Sequence, residues 1–172
     1  MAESDLDAIS HLCRKCGLCC NGALFENVQL QPGDDRRRLA ELGFELWRKG
    51  RKRCFAQPCH ALDGTICRVY GARPNRCRAF ICRLLKRVRD GEIQVSTALR
   101  TIRQARRLQR EVEKLGMNLG ASDPHLPLME RYAQAISQPI DLTSGSNEKN
   151  QHGKLLAAMN RLMIFLSQKF RL

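Results

Sequence analysis

The chain has 172 residues, a length that suits one compact unit with a modest core. Its formal net charge is +13, and the whole excess lies in residues 31–115, which hold 22 Lys and Arg against 9 Asp and Glu. The longest apolar run, close to the C-terminus, is interrupted by Asn160 and Arg161 and is shorter than the roughly 20 apolar residues of a membrane span, so the composition excludes a membrane-spanning protein.

The N-terminal stretch MAESDLDAISHL is acidic and lacks the positive and apolar regions of a secretory signal. We therefore expect a cytoplasmic protein. Because the cytoplasm is reducing, its cysteines are expected to serve metal or redox chemistry rather than a disulfide framework.

The first cysteines form the stretch CRKCGLCCNG at residues 13–22, in which Cys13, Cys16 and Cys19 make two overlapping CxxC units. Such spacing lets thiolates approach one metal, as in zinc knuckles and iron–sulfur sites. The run departs from the bacterial ferredoxin pattern, because Cys20 follows at once and asparagine, not proline, comes next. A radical-SAM motif also fails, since an alanine stands where its third thiol should be. Neighbouring side chains diverge, so Cys19 and Cys20 are expected to serve different partners.

The next segment predicts a helix over about 34–49, capped by Asp34 or Asp35 and ended by Gly50. Residues 51–82 are punctuated by proline and glycine, which predicts loops and one tight hairpin around an Asp-Gly turn. This segment has too little apolar surface to fold by burial alone and needs an internal staple.

After the cysteines, STALRTIRQARRLQREVEKLG predicts a long helix with Ser96 or Thr97 near its cap and Gly116 just past its end. A further helix is expected to end at Pro139, and DLTSGSNEKN has the composition of a surface linker. The last helix is predicted over about 151–170, with an apolar stripe that lies on one side: Leu155, Leu156, Met159, Leu162, Met163, Leu166 and Phe170.

All nine cysteines lie in the first 82 residues. Eight thiols would suffice for two four-cysteine sites, which would leave Cys54 over. The patterns CxxCxxCC at 13–20 and C-x7-C-R-V-Y-x3-R-P-x2-C-R-x-F-x-C at 59–82 resemble the CxxCxxCC cysteine-cluster family of YkgJ-type proteins, over roughly residues 11–83.

The resemblance implies chelation of zinc or iron by eight cysteines, carried over position by position: Cys13, Cys16, Cys19, Cys20, Cys59, Cys67, Cys77 and Cys82. It also places Tyr70, Arg73, Pro74, Arg78 and Phe80 in the second motif. Of these, Tyr70, Arg73 and Arg78 are the candidate cofactor-binding residues, and packing around the metal loop is their alternative role.

The resemblance further implies a metal cluster in proteins loosely called iron–sulfur oxidoreductases, and a similar cysteine domain occurs in flagellin lysine methylases. The rest of this chain has no recognisable cofactor motif for methyl transfer. That activity is therefore not carried over.

Three states of the cysteines stay open: structural zinc, a redox-active iron–sulfur centre, and thiols that are unmetallated or paired in disulfides. Arginines beside the ligands would offset the negative charge of a four-thiolate site. The long helix carries five arginines, and we interpret them as a solvated face or as a site for an acidic protein. We favour both of these interpretations over binding of nucleic acid. The residues are Arg100, Arg103, Arg106, Arg107 and Arg110.

We therefore predict a mainly α protein with little or no sheet, made of an irregular metal-held cysteine domain at 11–83 packed with about four helices, and a helical region at 84–172. It would chelate an iron–sulfur cluster or zinc and act in electron transfer or assist a partner enzyme, without membrane contact. The alternative function is a structural zinc module that binds RNA or an acidic protein through its Arg-rich helix.

Overall fold

The computed structural model describes residues 3–137 and 146–171, with side chains from residue 7 and from residue 150 in the two segments. Within these residues it holds seven α-helices and five short strands. The mainly α class is confirmed, whereas the expectation of little or no sheet is corrected by two small antiparallel sheets.

The helices found in the described residues are α1 (Glu3–Cys16), α2 (Arg36–Glu41), α3 (Asn75–Ala79), α4 (Arg83–Arg89), α5 (Val95–Met117), α6 (Leu128–Ser137) and α7 (Ser146–Lys169). The strands are β1 (Asn27–Gln29), β2 (Trp47–Lys49), β3 (Lys52–Ala56), β4 (Leu62–Asp63) and β5 (Ile66–Cys67), and a short 3-10 turn covers Tyr70–Ala72.

Helix α5 is the centre of the main core, since it packs against α7, α1, α6 and α4. Its apolar positions recur at helical spacing and face the buried side of α7. The expected stripe of α7 is confirmed at Leu155, Met159, Leu162 and Leu166, which are buried, but Leu156 is 59% exposed and lies outside the core.

A second, smaller core lies under the three-stranded sheet, whose order is β1-β3-β2. Its ring pair is Phe44 and Phe55, packed edge to face with centroids 4.8 Å apart. The buried members of this small cluster are Val28, Leu39, Phe44, Phe55 and Ala61.

The predicted helix over 34–49 is confirmed only at its start. Asp35 caps α2 by accepting a hydrogen bond from the backbone N–H of Arg38, with N···O 3.0 Å. The helix then ends near Gly43, whose φ is +85° and where a Cβ atom would lie 3.1 Å from the His60 ring. The chain after Gly43 therefore leaves the helix and forms β2, which pairs with β3.

The hairpin expected around the Asp-Gly turn is present as β4 and β5. Pro139 and residues 141–145 of the predicted linker lie outside the described residues, while 146–150 already belong to α7. In the part of the chain that the structure describes, no helix is long and apolar enough to cross a membrane.

Candidate metal centre

The first cysteine motif begins on the last turn of α1. Cys13 and Cys16 are three residues apart, so both project from the same face of the helix, next to the buried Leu12. The helix gives way to Gly17, whose φ of +69° lies in the left-handed region, and a Cβ atom there would lie 3.3 Å from the Cα atom of Thr65. A glycine at this position therefore lets the chain turn back beside the β4–β5 hairpin.

The second cysteine motif is joined to the first through the backbone. The N–H of Cys59 donates a hydrogen bond to the carbonyl of Cys20, with N···O 2.7 Å. The N–H of Arg68 donates to the carbonyl of Ala61, and the β4–β5 register leaves Cys67 at the end of the hairpin that contacts α1. Cysteines far apart in the sequence thus share one region of the fold.

Three side chains of the second motif shape the turn between Cys67 and Cys77. The Tyr70 hydroxyl and the Ser10 hydroxyl lie 2.8 Å apart, which ties the turn to α1. The Arg73 guanidinium stacks 3.6 Å from the centroid of the Tyr70 ring, and its Nε donates to the Tyr70 carbonyl. Arg78 donates to the carbonyls of Arg73 and Gly71, both at 2.7 Å.

A carboxylate holds the helix that carries Cys77. Asp34 accepts hydrogen bonds from the backbone N–H of Gln31 and from the backbone N–H of Asn75, the first residue of α3, both at 2.7 Å. The Asn75 side chain also donates to the Pro32 carbonyl. The sequence predicted that Asp34 or Asp35 caps the helix, and in the structure Asp35 caps α2.

A cavity of about 270 Å³ lies where these elements meet. Seven of the eight family cysteines line it, namely Cys13, Cys16, Cys19, Cys20, Cys67, Cys77 and Cys82. Tyr70, Arg73 and Arg76 line it too, whereas Arg78 and Cys59 lie outside its wall. Its apolar wall includes Phe25 and Phe80, which pack edge to face with ring centroids 5.1 Å apart.

A family model named CxxCxxCC and described as a "putative zinc- or iron-chelating domain" matches residues 12–99. The chain belongs to this family. No curated protein and no solved structure matches the chain at a significant level. Zinc or iron is the metal that the family description gives, and it agrees with the metal that the cysteines indicate.

Burial dominates the electrostatics of the CxxCxxCC cysteines. It is the largest cause of a raised thiol pKa at seven of them: Cys13, Cys16, Cys19, Cys20, Cys59, Cys77 and Cys82. At Cys16 and at Cys77 burial and neighbouring thiols raise the pKa to about 12. The thiols are therefore protonated at neutral pH before a metal displaces their protons.

Neighbouring thiols add to the burial effect, because two thiolates close together repel each other. After burial, the pKa of Cys19 is raised by Cys16, Cys82, Cys20 and Cys13. That of Cys20 is raised by a different set, Cys59, Cys77, Cys13 and Cys67, in order of size. The two cysteines of the CC pair thus have different thiol neighbours, except that both interact with Cys13.

Apart from Cys13, these interactions favour two groups of cysteines. The first thiol group is Cys13, Cys16, Cys19 and Cys82, and the second thiol group is Cys20, Cys59, Cys67 and Cys77. Cys13 stands at the boundary, since it interacts electrostatically with Cys67 and Cys20 as well as with Cys16, Cys19 and Cys82.

Nearby arginines offset part of the rise in the thiol pKa values. Arg73 lowers the thiol pKa of both Cys13 and Cys77, against the larger increase from burial, so one guanidinium acts on both thiol groups. Arg106 of α5 acts in the same direction on Cys16 and donates a hydrogen bond to the Lys15 carbonyl. Arginine favours the thiolate form that a metal requires.

The donor set fits a thiophilic metal, since zinc and iron–sulfur clusters are both bound by cysteine thiolates. All nine cysteines are free thiols. Among the described residues, no group of three or more His, Cys, Asp or Glu side chains is already arranged to hold an ion. Metal binding would therefore have to draw thiols inward from the cavity wall.

The cavity wall also holds an amide that sequence reasoning did not single out. Gln57 is 1% exposed, lines the cavity, and its Oε1 has no hydrogen-bond partner in the described structure. A buried acceptor without a partner costs about 1–3 kcal/mol. This cost is removed when a bound group or water supplies a donor, so the wall is suited to a further occupant.

Asn21, which directly follows the CC pair, links the cysteine loop to the helical core. Its Nδ2 donates to Oε1 of the buried Gln109 on α5 at 2.9 Å. Gln109 donates in turn to Glu113, which also pairs with Arg131 of α6 at 3.0 Å. This polar chain fixes the turn after the CC pair relative to two helices.

The remaining candidates lie away from the cavity. Cys54 is fully buried in β3, opposite Trp47 and Gln29, and does not line the cavity wall. His60 follows Cys59 in the sequence, but it is exposed and its ring packs on Phe44 with centroids 4.9 Å apart. Both are therefore poor candidates for the metal.

Proposed function

We propose that this protein chelates zinc or an iron–sulfur cluster through two four-cysteine groups, and that the metal supports electron exchange with, or assistance to, a partner enzyme. The first thiol group would bind one metal centre and the second thiol group the other. Zinc would supply structural cross-linking, whereas iron with sulfide would supply one-electron chemistry. The observation that carries the proposal is the placement of seven of the eight family cysteines on the wall of one cavity, and the proposed division follows from which thiols are neighbours there.

A second observation supports the same division. Cys82 is buried in the main core, and Cys13, Cys16 and Cys19 pack against that core. Cys59 and Cys77 pack instead against the small cluster under the sheet. Packing therefore separates these six thiols in the same way as electrostatics does, and Cys20 and Cys67 belong to neither cluster.

The groups nevertheless adjoin. Cys13 of the first group interacts electrostatically with Cys67 and Cys20 of the second, and Arg73 acts on both. Thiols of both groups line one cavity. This proximity supports electron exchange between two centres if the metal is iron.

The expected protein partner fits α5. Arg103, Arg107 and Arg110 are exposed at a spacing of three and four residues, so they share one face. In the described part of the chain none of these three has an ion-pair partner. An acidic protein surface would supply the missing charges.

The first test is the iron, zinc and acid-labile sulfide content per chain, measured on protein purified without oxygen, together with a visible spectrum. Iron with matching sulfide, and absorption that bleaches on reduction, would support electron transfer. Zinc without sulfide would make the metal structural and leave only the chelating part of the proposal.

The division is tested with one variant per group, Cys16→Ser and Cys77→Ser. Each variant should lose about half of the metal after a chelator challenge, because four-thiolate sites rarely survive the loss of a ligand. Cys54→Ala is the matched control and should keep all of it. If each group variant loses all its metal, the eight thiols hold one shared cluster and the two-site division is wrong.

A further inference from the structure

The β2–β3 hairpin carries a dense positive charge that the metal centre does not use. Its five cations are Arg48, Lys49, Arg51, Lys52 and Arg53, and all are exposed. None of them lines the cavity. The feature therefore stands apart from the metal site and does not depend on the proposed function.

The strand register makes this charge unfavourable within the free protein. Arg48 lies opposite Arg53, and Lys49 lies opposite Lys52. Like charges directly opposite each other in an antiparallel pair are destabilising. The one side-chain partner in the described structure is Gln29, whose Oε1 accepts from Lys52 Nζ at 3.1 Å. The hairpin thus lacks the anions that would balance it.

An exposed aromatic side chain stands beside these cations. Trp47 is 40% exposed. Side chains two apart on a strand share a face, and so do directly opposed residues, so Trp47 lies on the face of Lys49 and Lys52. The ring lies opposite the buried Cys54, and the exposed part of the ring is available for stacking.

We propose that this hairpin binds single-stranded nucleic acid, with a base stacked on Trp47 and phosphates bound by the surrounding cations. Single-strand binders combine a positively charged track with aromatic side chains on which bases stack. A duplex would not offer an unstacked base to the ring. A lipid surface would require more exposed apolar area than one tryptophan provides, and charges stand on both faces of the hairpin.

The chain offers a direct probe, because Trp47 is its only tryptophan. Metal-loaded protein would be titrated with oligouridylate and with oligothymidylate of about 20 nucleotides while tryptophan fluorescence is recorded. We expect quenching, and a plot of log K against log salt with a slope of about −2 to −3.5 for three to five phosphate contacts. Oligouridylate binding alone or oligothymidylate binding alone would identify RNA or DNA as the source.

The decisive variant is Lys49→Gln with Lys52→Gln, which removes the two cations on the tryptophan face. It should lower the magnitude of the salt slope by about 1.4, or about 0.7 per contact. Arg103→Gln with Arg107→Gln on α5 removes the same charge elsewhere and should leave the slope unchanged. Equal losses in the two variants would mean a diffuse charge effect and would overturn the assignment to the hairpin.

Stacking is tested with a labelled oligonucleotide and anisotropy, so that the tryptophan can be replaced. Trp47→Ala should weaken binding about ten-fold, and Trp47→Phe should weaken it less, because phenylalanine still stacks. Unchanged metal content in each variant shows that the fold is retained. No binding of either oligonucleotide at low salt, or a fluorescence change only with anionic lipid vesicles, would overturn the proposal.

Discussion

Helices α5 and α7 bury a continuous apolar interface, whereas the segment between α1 and α4 has a separate cluster of only five buried hydrophobic side chains. The helices have enough apolar contact to stay folded without a ligand. The segment must order a longer stretch of chain than these two helices around that small cluster, at about 1–2 kcal/mol of backbone entropy per residue. From this difference we expect two means of stabilisation in one chain, burial in the helices and cross-linking by metal in the cysteine segment.

The two thiol groups contact different hydrophobic clusters. The first group packs on the main core, where Cys82 is itself buried, so its positions are supported without metal. Two members of the second group, Cys59 and Cys77, pack against the small cluster, which has far fewer buried side chains. Metal at the second group should therefore matter more for folding.

Metal removal is expected to have the largest effect. A structural metal contributes about 10–16 kcal/mol in small zinc peptides. After chelation, amide hydrogen exchange should lose protection in β1, β3, β4 and β5 while α5 and α7 keep theirs. Equal loss of protection in helices and strands would show that the two regions fold as one unit.

Truncation of buried side chains should have the next largest effect and should distinguish the helical region from the cysteine segment. Leu162→Ala, in the main core, should lower the free energy of unfolding by about 2–5 kcal/mol and leave metal content per folded chain unchanged. Phe44→Ala, in the small cluster, should cost about 3–5 kcal/mol and reduce metal retention. Leu156→Ala on the exposed side of α7 is the control, with little effect in thermal denaturation or metal analysis.

The pH dependence should have opposite signs with and without metal. Since burial raises the thiol pKa of Cys16 and Cys77 to about 12 from 9.0, a metal must displace their protons, and affinity should rise about ten-fold per pH unit for each proton released. Without metal, the unfolded chain loses these protons above about pH 9 while the folded chain keeps them. Stability of the metal-free protein should therefore fall as pH rises towards 12.

Chelator competition between about pH 6.5 and 8.5 and urea titrations at high pH would measure the two trends. Affinity that does not change with pH would mean that the thiols are already ionised before binding. In that case the burial of the cavity wall is not what controls metal uptake.

A smaller effect is expected from Arg73, the cation shared by both thiol groups. Arg73→Gln removes its charge from beside Cys13 and Cys77 and should weaken metal binding about ten-fold. Arg73→Lys keeps the charge and should recover part of the loss. Arg38→Gln, an exposed cation on α2, serves as the control in the same competition assay. An effect confined to one group would remove Arg73 as the link between them.

The smallest effect should come from the charged hairpin. Arg53→Glu places a carboxylate opposite Arg48 and should stabilise the small sheet by about 0.2–1 kcal/mol, while weakening nucleic-acid binding. Arg51→Glu makes the same charge change in the turn and should stabilise it less. Thermal denaturation of the metal-free protein would detect the difference, and equal shifts would mean that net charge alone is responsible.

Much of the helical fold could be read from periodicity. The long helix and the buried positions Ile102, Ala105 and Val112 follow from spacing alone. The missed helix α1 also had a signal, since Arg14 and Lys15 precede Gly17 in the pattern of a helix C-terminus. The helix was not predicted because Cys13 and Cys16, which belong to its core-facing side, were interpreted as part of a metal-binding loop.

The strands β1 and β2 could not be predicted in the same way. Each has only three residues, which is too short for an alternation of apolar and polar residues to be recognised, and β2 is exposed at every position. Their pairing with β3 decides their conformation, and that pairing depends on contacts distant in the sequence. The sequence also left open which thiols are neighbours, because that too depends on contacts distant in the sequence.

The sequence by itself determined the chemistry: nine thiols confined to the first 82 residues, a family pattern that predicts a metal, and a helical half with a regular apolar stripe. These follow from residue type and local spacing, which a single sequence displays. Only the tertiary structure decided which thiols are neighbours, that Arg73 acts on both Cys13 and Cys77, that Gln57 lines the cavity, and that Trp47 shares a face of the hairpin with two lysines. Those facts depend on long-range backbone contacts, such as the one from Cys59 to Cys20, which no local pattern encodes.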